Sequence, residues 1–208
     1  EIKKVALVKG SANSPLKYEY DGTELRIKLN KTYKGGESYT VHIDYIAKPD
    51  ELKVKGSAAI TDAKGLYFIN PKGEEKNKMP QIWTQGETEA NSVWFPTVDA
   101  PNAKSTEEIL MTVQDKYMTL ANGKLISSKK NADGTRTDHW KQELPHAPYL
   151  FMMAVGEFKT VKDTYTRKDG SKMEVNYIVE PAYEKDAKVI FGETPEMIRF
   201  FSEKLGVE

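Results

Sequence analysis

Leu25-Arg-Ile-Lys-Leu-Asn-Lys-Thr-Tyr-Lys-Gly-Gly-Glu-Ser-Tyr-Thr-Val-His-Ile-Asp-Tyr45 is the stretch that reads most plainly. Leu25, Ile27 and Leu29 alternate with charged or polar neighbours, and Tyr39, Val41, Ile43 and Tyr45 alternate with Thr40, His42 and Asp44. Strand side chains point in turn to opposite faces, so each run predicts a strand with one buried face. Between them, Lys34-Gly35-Gly36-Glu37 supplies residues tolerant of positive φ. The two runs are therefore expected to pair as an antiparallel hairpin.

The same pattern extends outward. Ile2, Val5, Leu7 and Val8 make a short strand that alternates poorly, and Lys17–Tyr20 makes another, closed by Asp21-Gly22. Residues 47–64 read as a loop with at most a weak strand. Gly65–Asn70 reads as a buried strand, and Pro71–Pro80 as a solvated, mobile excursion. Glu108–Gln114 alternates through Ile109, Met111 and Val113. Tyr117–Ala121 runs into Asn122-Gly123, a two-residue hairpin signal, with Leu125–Lys130 returning. Asp133-Gly134 then turns the chain into Thr135–Glu143. Tyr149–Val155 is apolar enough to be covered on both faces, and Phe158–Thr166 with Met173–Val179 forms a last hairpin around Lys168–Ser171.

From Glu184 the period changes. A short helix is expected to Phe191, ended by Gly192. A second starts with Thr194 as N-cap, Pro195 in the first position and Glu196 in the first turn. Met197, Ile198, Phe201 and Leu205 share one face, and Gly206 closes the helix. The fold class is mainly β and antiparallel, with a short C-terminal helical segment.

Composition narrows the function. The 208 residues carry 31 basic and 31 acidic side chains. This balance argues against nucleic acid and against a polybasic membrane anchor. No cysteine is present, which removes disulfides, thiolate ligands and cysteine nucleophiles from this window. No apolar run reaches the ~18 residues of a membrane-spanning helix. His42, His139 and His146 have no zinc-ligand spacing, and they read as surface or hydrogen-bonded histidines. No G-x-S-x-G elbow and no glycine-rich phosphate loop occurs.

One stretch stays outside both periods: Gln81-Ile-Trp-Thr-Gln-Gly-Glu-Thr-Glu-Ala-Asn-Ser-Val-Trp-Phe-Pro-Thr-Val-Asp-Ala-Pro-Asn-Ala-Lys-Ser-Thr106. Long irregular segments between strands often carry function. Gln85 and Glu87, two apart on an extended chain, share a face. An amide beside a carboxylate can hold an ammonium group, and it can equally be a solvated polar pair. Asp99 reads as a turn or cap residue. Trp83, Trp94 and Phe95 read as core anchors, mainly buried; exposed and coplanar rings would instead suit a carbohydrate-binding β-sandwich.

Taken together, Trp83-Thr-Gln-Gly-Glu87 and Trp94-Phe-Pro-Thr-Val-Asp-Ala-Pro-Asn-Ala-Lys-Ser-Thr106 resemble the N-terminal domain of the gluzincin zinc aminopeptidases, the aminopeptidase N family. Asn122-Gly123, His146-Ala-Pro-Tyr-Leu-Phe151, Val155-Gly-Glu-Phe158 and Thr194–Gly206 fit in order, so the resemblance covers nearly the whole chain. It implies a saddle-like antiparallel β-sandwich over residues 1–182, its first strands missing before Glu1. Residues 183–208 are then the helical start of the catalytic domain. Thr97 replaces the family's usual cysteine at a structural position. The zinc motif H-E-x-x-H and the exopeptidase motif G-x-M-E-N lie, in the family, beyond where this chain stops.

By the same resemblance, Glu87 anchors the free α-amine of a peptide and Gln85 lines the pocket for the first side chain. The family also commonly carries a cis peptide here, which predicts a cis bond at Glu87–Thr88. The implied parent enzyme is a zinc metallopeptidase that removes N-terminal residues from peptides. Its partners are the substrate's amino end and the catalytic domain of the same chain. No catalytic residue and no metal ligand is expected within these residues, so the fragment alone is expected to be inactive and to bind no zinc. The alternative is a scaffold or interaction domain of a relative lacking the zinc site. Compartment depends on residues before Glu1.

Overall fold

The computed structural model describes residues 1–53 and 62–208. Among them run β1 (Ile2–Lys9), β2 (Ala12–Pro15), β3 (Lys17–Tyr20), β4 (Leu25–Lys28), β5 (Val41–Tyr45), β6 (Gly65–Ile69), β7 (Gln81–Gln85), β8 (Ser105–Gln114), β9 (Met118–Ala121), β10 (Lys124–Lys130), β11 (Thr135–His146), β12 (Met153–Gly156), β13 (Lys159–Thr166) and β14 (Lys172–Val179). A 3-10 turn at Pro181–Asp186 leads into α1 (Ala187–Phe191) and α2 (Thr194–Leu205). The sheets are β2-β1-β5, β10-β11-β8, β6-β7-β12-β9, β13-β14 and β3-β4. The mainly β, antiparallel class expected from the alternation is the one observed. The weak strand considered within residues 47–64 falls partly outside the described residues. No described helix is long and apolar enough to cross a membrane.

The chain divides into two compact units. One comprises Glu1–Tyr67, Trp83–Glu107 and Gln142–Met152; the other comprises Phe68–Ile82, Glu108–Lys141 and Met153–Glu208.

In the first unit β1 is the central strand between β2 and β5. Val5, Ala6 and Leu7 are buried in succession. A strand covered on both faces has no reason to alternate, which explains its poor period. The hairpin expected between Leu25–Leu29 and Tyr39–Tyr45 does not form. Leu25 lies opposite Tyr20 and Ile27 opposite Tyr18, while Val41 lies opposite Leu7 and Ile43 opposite Val5. Asp21 decides this locally. Its Oδ1 accepts the backbone N–H groups of Thr23 at 2.9 Å and Glu24 at 2.7 Å, closing a tight turn directly before β4. Lys34–Glu37 remains a local turn, with the Glu37 N–H on the Lys34 carbonyl at 3.0 Å.

In the second unit, Met111, Ala121 and Val155 form a core joined by Ile82, Ile109, Val113, Tyr117, Trp140 and Met153. The Asn122-Gly123 signal does not make a hairpin. Ala121 pairs with Met153 and Lys124 pairs with Lys141, so the turn carries the chain from one sheet to another. Side-chain burial explains the switch. β9 buries Thr119 and Ala121, whereas every residue of β10 is exposed. The Asp133-Gly134 turn forms as expected, with Thr135 donating both N–H and hydroxyl to Asp133 Oδ1. Pro71–Pro80 is solvated but not loose. The Asn70 amide donates to the carbonyls of Glu75 at 2.9 Å and Lys78 at 2.7 Å, and its oxygen accepts the Glu75 N–H at 3.1 Å.

The last hairpin, β13–β14, keeps one register from Lys159 opposite Val179 to Thr166 opposite Lys172. Tyr165, Val175, Tyr177 and Ala187 form its core, with Ile198 of α2 against them. Met197, Phe201 and Leu205, expected on the same face as Ile198, are exposed. The helix expected over Glu184–Phe191 is α-helical only from Ala187. Thr194 is not an N-cap: Glu193 holds that place, and the Thr194 hydroxyl donates to the Phe191 carbonyl at 2.6 Å. Gly206 closes α2 in the left-handed region at φ 71°, as glycine permits.

Candidate functional site

From Trp83 onward the stretch with no clean period is a loop packed on a turn, and both belong to the first unit. β7 brings the chain in, with Trp83 and Gln85 on one face of the strand. The strand stops at Gly86, which is buried because nothing larger fits. A Cβ there would lie 2.4 Å from the Tyr149 carbonyl oxygen and 2.5 Å from Asn91 Nδ2. The next peptide bond, Glu87–Thr88, is cis, as the motif led one to expect. The Ala90 N–H then returns to the Gly86 carbonyl at 2.9 Å.

Asn91 opens the 3-10 turn Asn91–Val93 and is wholly buried. Its amide donates to the carbonyls of Pro148 at 2.6 Å and Phe151 at 2.9 Å, and its oxygen accepts the Trp94 indole N–H at 2.8 Å. One side chain thus ties the loop to the Pro148–Leu150 turn and to its own tryptophan. Packing reinforces this, with Trp94 edge-on to Phe95 and Phe95 stacked on Phe151 at 5.4 Å. Asp99 has the expected capping role: its carboxylate accepts the Ser92 N–H at 2.8 Å. Gly65, at φ 68°, lets β6 pass the Ala90 carbonyl, where a Cβ would lie 2.0 Å away.

On this mount Gln85 is half-buried and Glu87 is exposed. Gln85 Nε2 donates to Glu87 Oε2 at 3.3 Å, so the shared face expected from spacing brings the two together. The pair presents a carboxylate to solvent with an amide at its shoulder, an arrangement suited to a cation carrying several N–H donors.

Two expectations are corrected here. Trp83 is less deeply buried than a core anchor, 37% exposed, with Tyr67 stacked on its ring at 4.7 Å. Tyr149–Val155 is not a strand covered on both faces. Pro148 starts a 3-10 turn, Leu150 is 47% exposed, and the strand begins only at Met153.

The histidines are placed apart in role. His42 is exposed, and His139 Nε2 meets Glu108 Oε2 at 2.9 Å. His146 Nε2 is buried without a hydrogen-bond partner among the described residues, 3.9 Å from Glu107 Oε1. The sequence reading passed over Glu107. The signal was present: Glu107 occupies the inward register of β8 that Ile109, Met111 and Val113 continue. Burial pushes its carboxyl up to about 7. Among the described residues, no three His, Cys, Asp or Glu side chains gather in a way that could hold a metal ion.

Comparison with known proteins follows this geometry. Residues 2–150 match the family model of the peptidase M1 N-terminal domain. The chain is 26% identical over 192 residues to endoplasmic reticulum aminopeptidase 1 of Mus musculus, covering 89% of this chain. It spans only 19% of that protein's length. It is also 26% identical over 147 residues to transcription initiation factor TFIID subunit 2 of Danio rerio, covering 68% of this chain and 12% of that protein. Among solved structures, the M1 zinc metallopeptidase of Deinococcus radiodurans superposes with a TM-score of 0.74 at 15% identity. That match covers 97% of this chain and 42% of the other, and at such identity it speaks for the fold.

Proposed function

Because the chain belongs to the peptidase M1 N-terminal domain family, we propose that it is the substrate-anchoring β portion of a zinc aminopeptidase, a metallopeptidase that hydrolyses N-terminal residues from peptides. In this reading residues 1–182 are the N-terminal β domain and residues 183–208 open the catalytic domain of the same parent chain. Glu87 takes the free α-ammonium of the peptide, and Gln85 forms part of the wall around the first side chain. The observation that carries the reading is the Gln85–Glu87 pair, held at 3.3 Å at the end of β7 on a loop that Gly86 and Asn91 pin from behind.

The chemistry follows from charge. An ammonium exists on a peptide only at its first residue or on a lysine, so a carboxylate at fixed distance from the cutting point counts residues from the amino end. Gln85 holds the Glu87 carboxylate from one side without neutralising it, because an amide donates hydrogen but carries no charge. When bound in the parent enzyme, zinc supplies an activated water and polarises the scissile carbonyl. The described residues do not fit such a site, and the proposal places its ligands in the catalytic domain.

Glu87→Gln in the parent enzyme keeps the shape and removes the charge. A charge-assisted contact contributes roughly 1.5–3 kcal/mol, so kcat/KM on substrates with a free amino end is expected to fall roughly 10- to 150-fold. An unchanged kcat/KM would sink the anchor role. These 208 residues alone, assayed with zinc on aminoacyl chromogenic substrates, are expected to give no turnover.

A second reading is favoured by the similarity to TFIID subunit 2, a transcription initiation factor by name. Here the same β domain serves as a scaffold or interaction module. The discriminating observation is the coding sequence downstream of Glu208: G-x-M-E-N and H-E-x-x-H support the peptidase, and their absence supports the scaffold.

A further inference from the structure

Glu107 and His146 form a buried pair with a chemical conflict. His146 Nδ1 lies 3.0 Å from the Leu144 carbonyl oxygen, and a carbonyl only accepts, so Nδ1 carries hydrogen. In the neutral ring Nε2 is then a lone pair. That lone pair lies 3.9 Å from Glu107 Oε1. Nε2 and both Glu107 oxygens are buried, and none has a hydrogen-bond partner among the described residues. The carboxylate side chain is 5% exposed and the imidazole 15%. An ionised carboxylate facing a lone pair in a dry site is repulsive and leaves every acceptor unsatisfied. A single proton removes the conflict, either as a carboxylic acid donating to Nε2 or as an imidazolium donating to the carboxylate. Closing the gap by about 1 Å then makes a hydrogen bond.

We propose that Glu107 and His146 share one proton as a pH-sensitive lock on the Leu144–Phe151 segment: the proton draws β8 and this segment together, and its departure to solvent releases them. The segment is the backing of the loop described above. The His146 ring packs on Phe151 at 4.5 Å, and Phe151 gives its carbonyl to Asn91. Burial alone raises Glu107, and no charged group on β8, on β11 or in the Pro148–Leu150 turn shifts it. The neighbouring Glu108 is engaged with His139 and Lys141 instead. A link from this lock to peptide binding rests on the anchor role proposed for Glu87; the lock itself does not.

The sign of the pH effect follows from Glu107. Burial holds its carboxyl at about 7 in the folded chain, above the ordinary 4.5. The contribution to stability is therefore full below about pH 4.5 and is lost as pH rises through about 7. The test is urea unfolding of the intact chain between pH 4.5 and 8.5, wild type against Glu107→Gln, whose amide can donate to Nε2 without a titrating proton. Relative to the variant, the wild-type folding constant is expected to fall roughly 100-fold across this window. In the wild type, the His146 ring nitrogens and the Asn91 side-chain amide should shift in NMR spectra with one common midpoint. That midpoint is read without the variant, should Glu107→Gln fold poorly. Parallel pH profiles for the two proteins would overturn the lock, as would a His146 titration that leaves Asn91 unmoved. A peptide-binding defect in Glu87→Gln with an intact His146–Asn91 titration separates the two proposals.

Discussion

Asn91→Ala is expected to lower the stability of the first unit by roughly 3–5 kcal/mol, because it removes three hydrogen bonds of one buried side chain and leaves a void. The Phe151 carbonyl loses the Asn91 amide, the Pro148 carbonyl keeps only the Phe151 N–H at 3.0 Å, and the Trp94 indole N–H loses its acceptor. Asn91 has no exposed surface, so no solvent stands ready to replace these bonds. Alanine also leaves a void beside Gly86, whose backbone was admitted to this place by the shape of that amide. The measurement is the urea midpoint followed by tryptophan fluorescence, in which Trp94 reports directly on the lost bond. Asn91→Asp should cost at least as much, since a carboxylate cannot donate to either carbonyl and brings an unpaired charge into a dry site. A loss under about 1 kcal/mol would show that the loop is held by its aromatic packing instead.

Arg136→Ala is the corresponding change in the second unit, with an expected loss of about 3–5 kcal/mol from breaking a buried ion pair. The Arg136 guanidinium donates to both oxygens of Asp138, at 2.8 and 2.9 Å, and to the Asp115 and Tyr117 carbonyls. Asp138 is 3% exposed and also accepts the hydroxyls of Thr119 and Ser128, each at 2.6 Å. Arg136, ahead of these hydroxyls, holds the Asp138 carboxyl down to about 2. A lowered carboxyl contributes stability above its ordinary value of 3.8, and that stability is lost as pH falls through about 2. Without Arg136 the carboxyl rises, so acid unfolding should begin at a higher pH in the variant. Replacing both partners, Arg136→Met with Asp138→Leu, should cost less than the single change, because no charge is left alone. An acid transition that does not move would argue that the two hydroxyls suffice to hold the carboxylate.

Strand existence was legible because burial of one face writes a period of two, as in β4, β5 and β8. Strand partnership was not. Leu25–Leu29 and Tyr39–Tyr45 have matching patterns and a glycine pair between them, yet Asp21 captured β4 for β3 and the core captured β5 for β1. Asn122-Gly123 failed as a hairpin signal for a related reason. A turn sequence specifies local dihedrals, and whether the returning strand stays in the same sheet depends on which side chains must be buried. In the loop, the shared face of Gln85 and Glu87, the capping role of Asp99 and the cis Glu87–Thr88 bond were readable in advance. Glu107 and His146 were not, although a carboxylate in an inward register was a visible anomaly, because its partner lies far along the chain.

The sequence by itself determined the class of the fold, most of the strands, the irregular loop that carries Gln85 and Glu87, and the family resemblance. Each of these rests on neighbours within a few residues. Tertiary structure alone decided which strands pair, that Asn91 fastens the loop to Pro148 and Phe151, and that Glu107 faces His146 with no hydrogen-bond partner among the described residues. Those facts depend on groups far apart in the chain meeting in the fold, and a local pattern that shows which side chains turn inward does not show which of them meet.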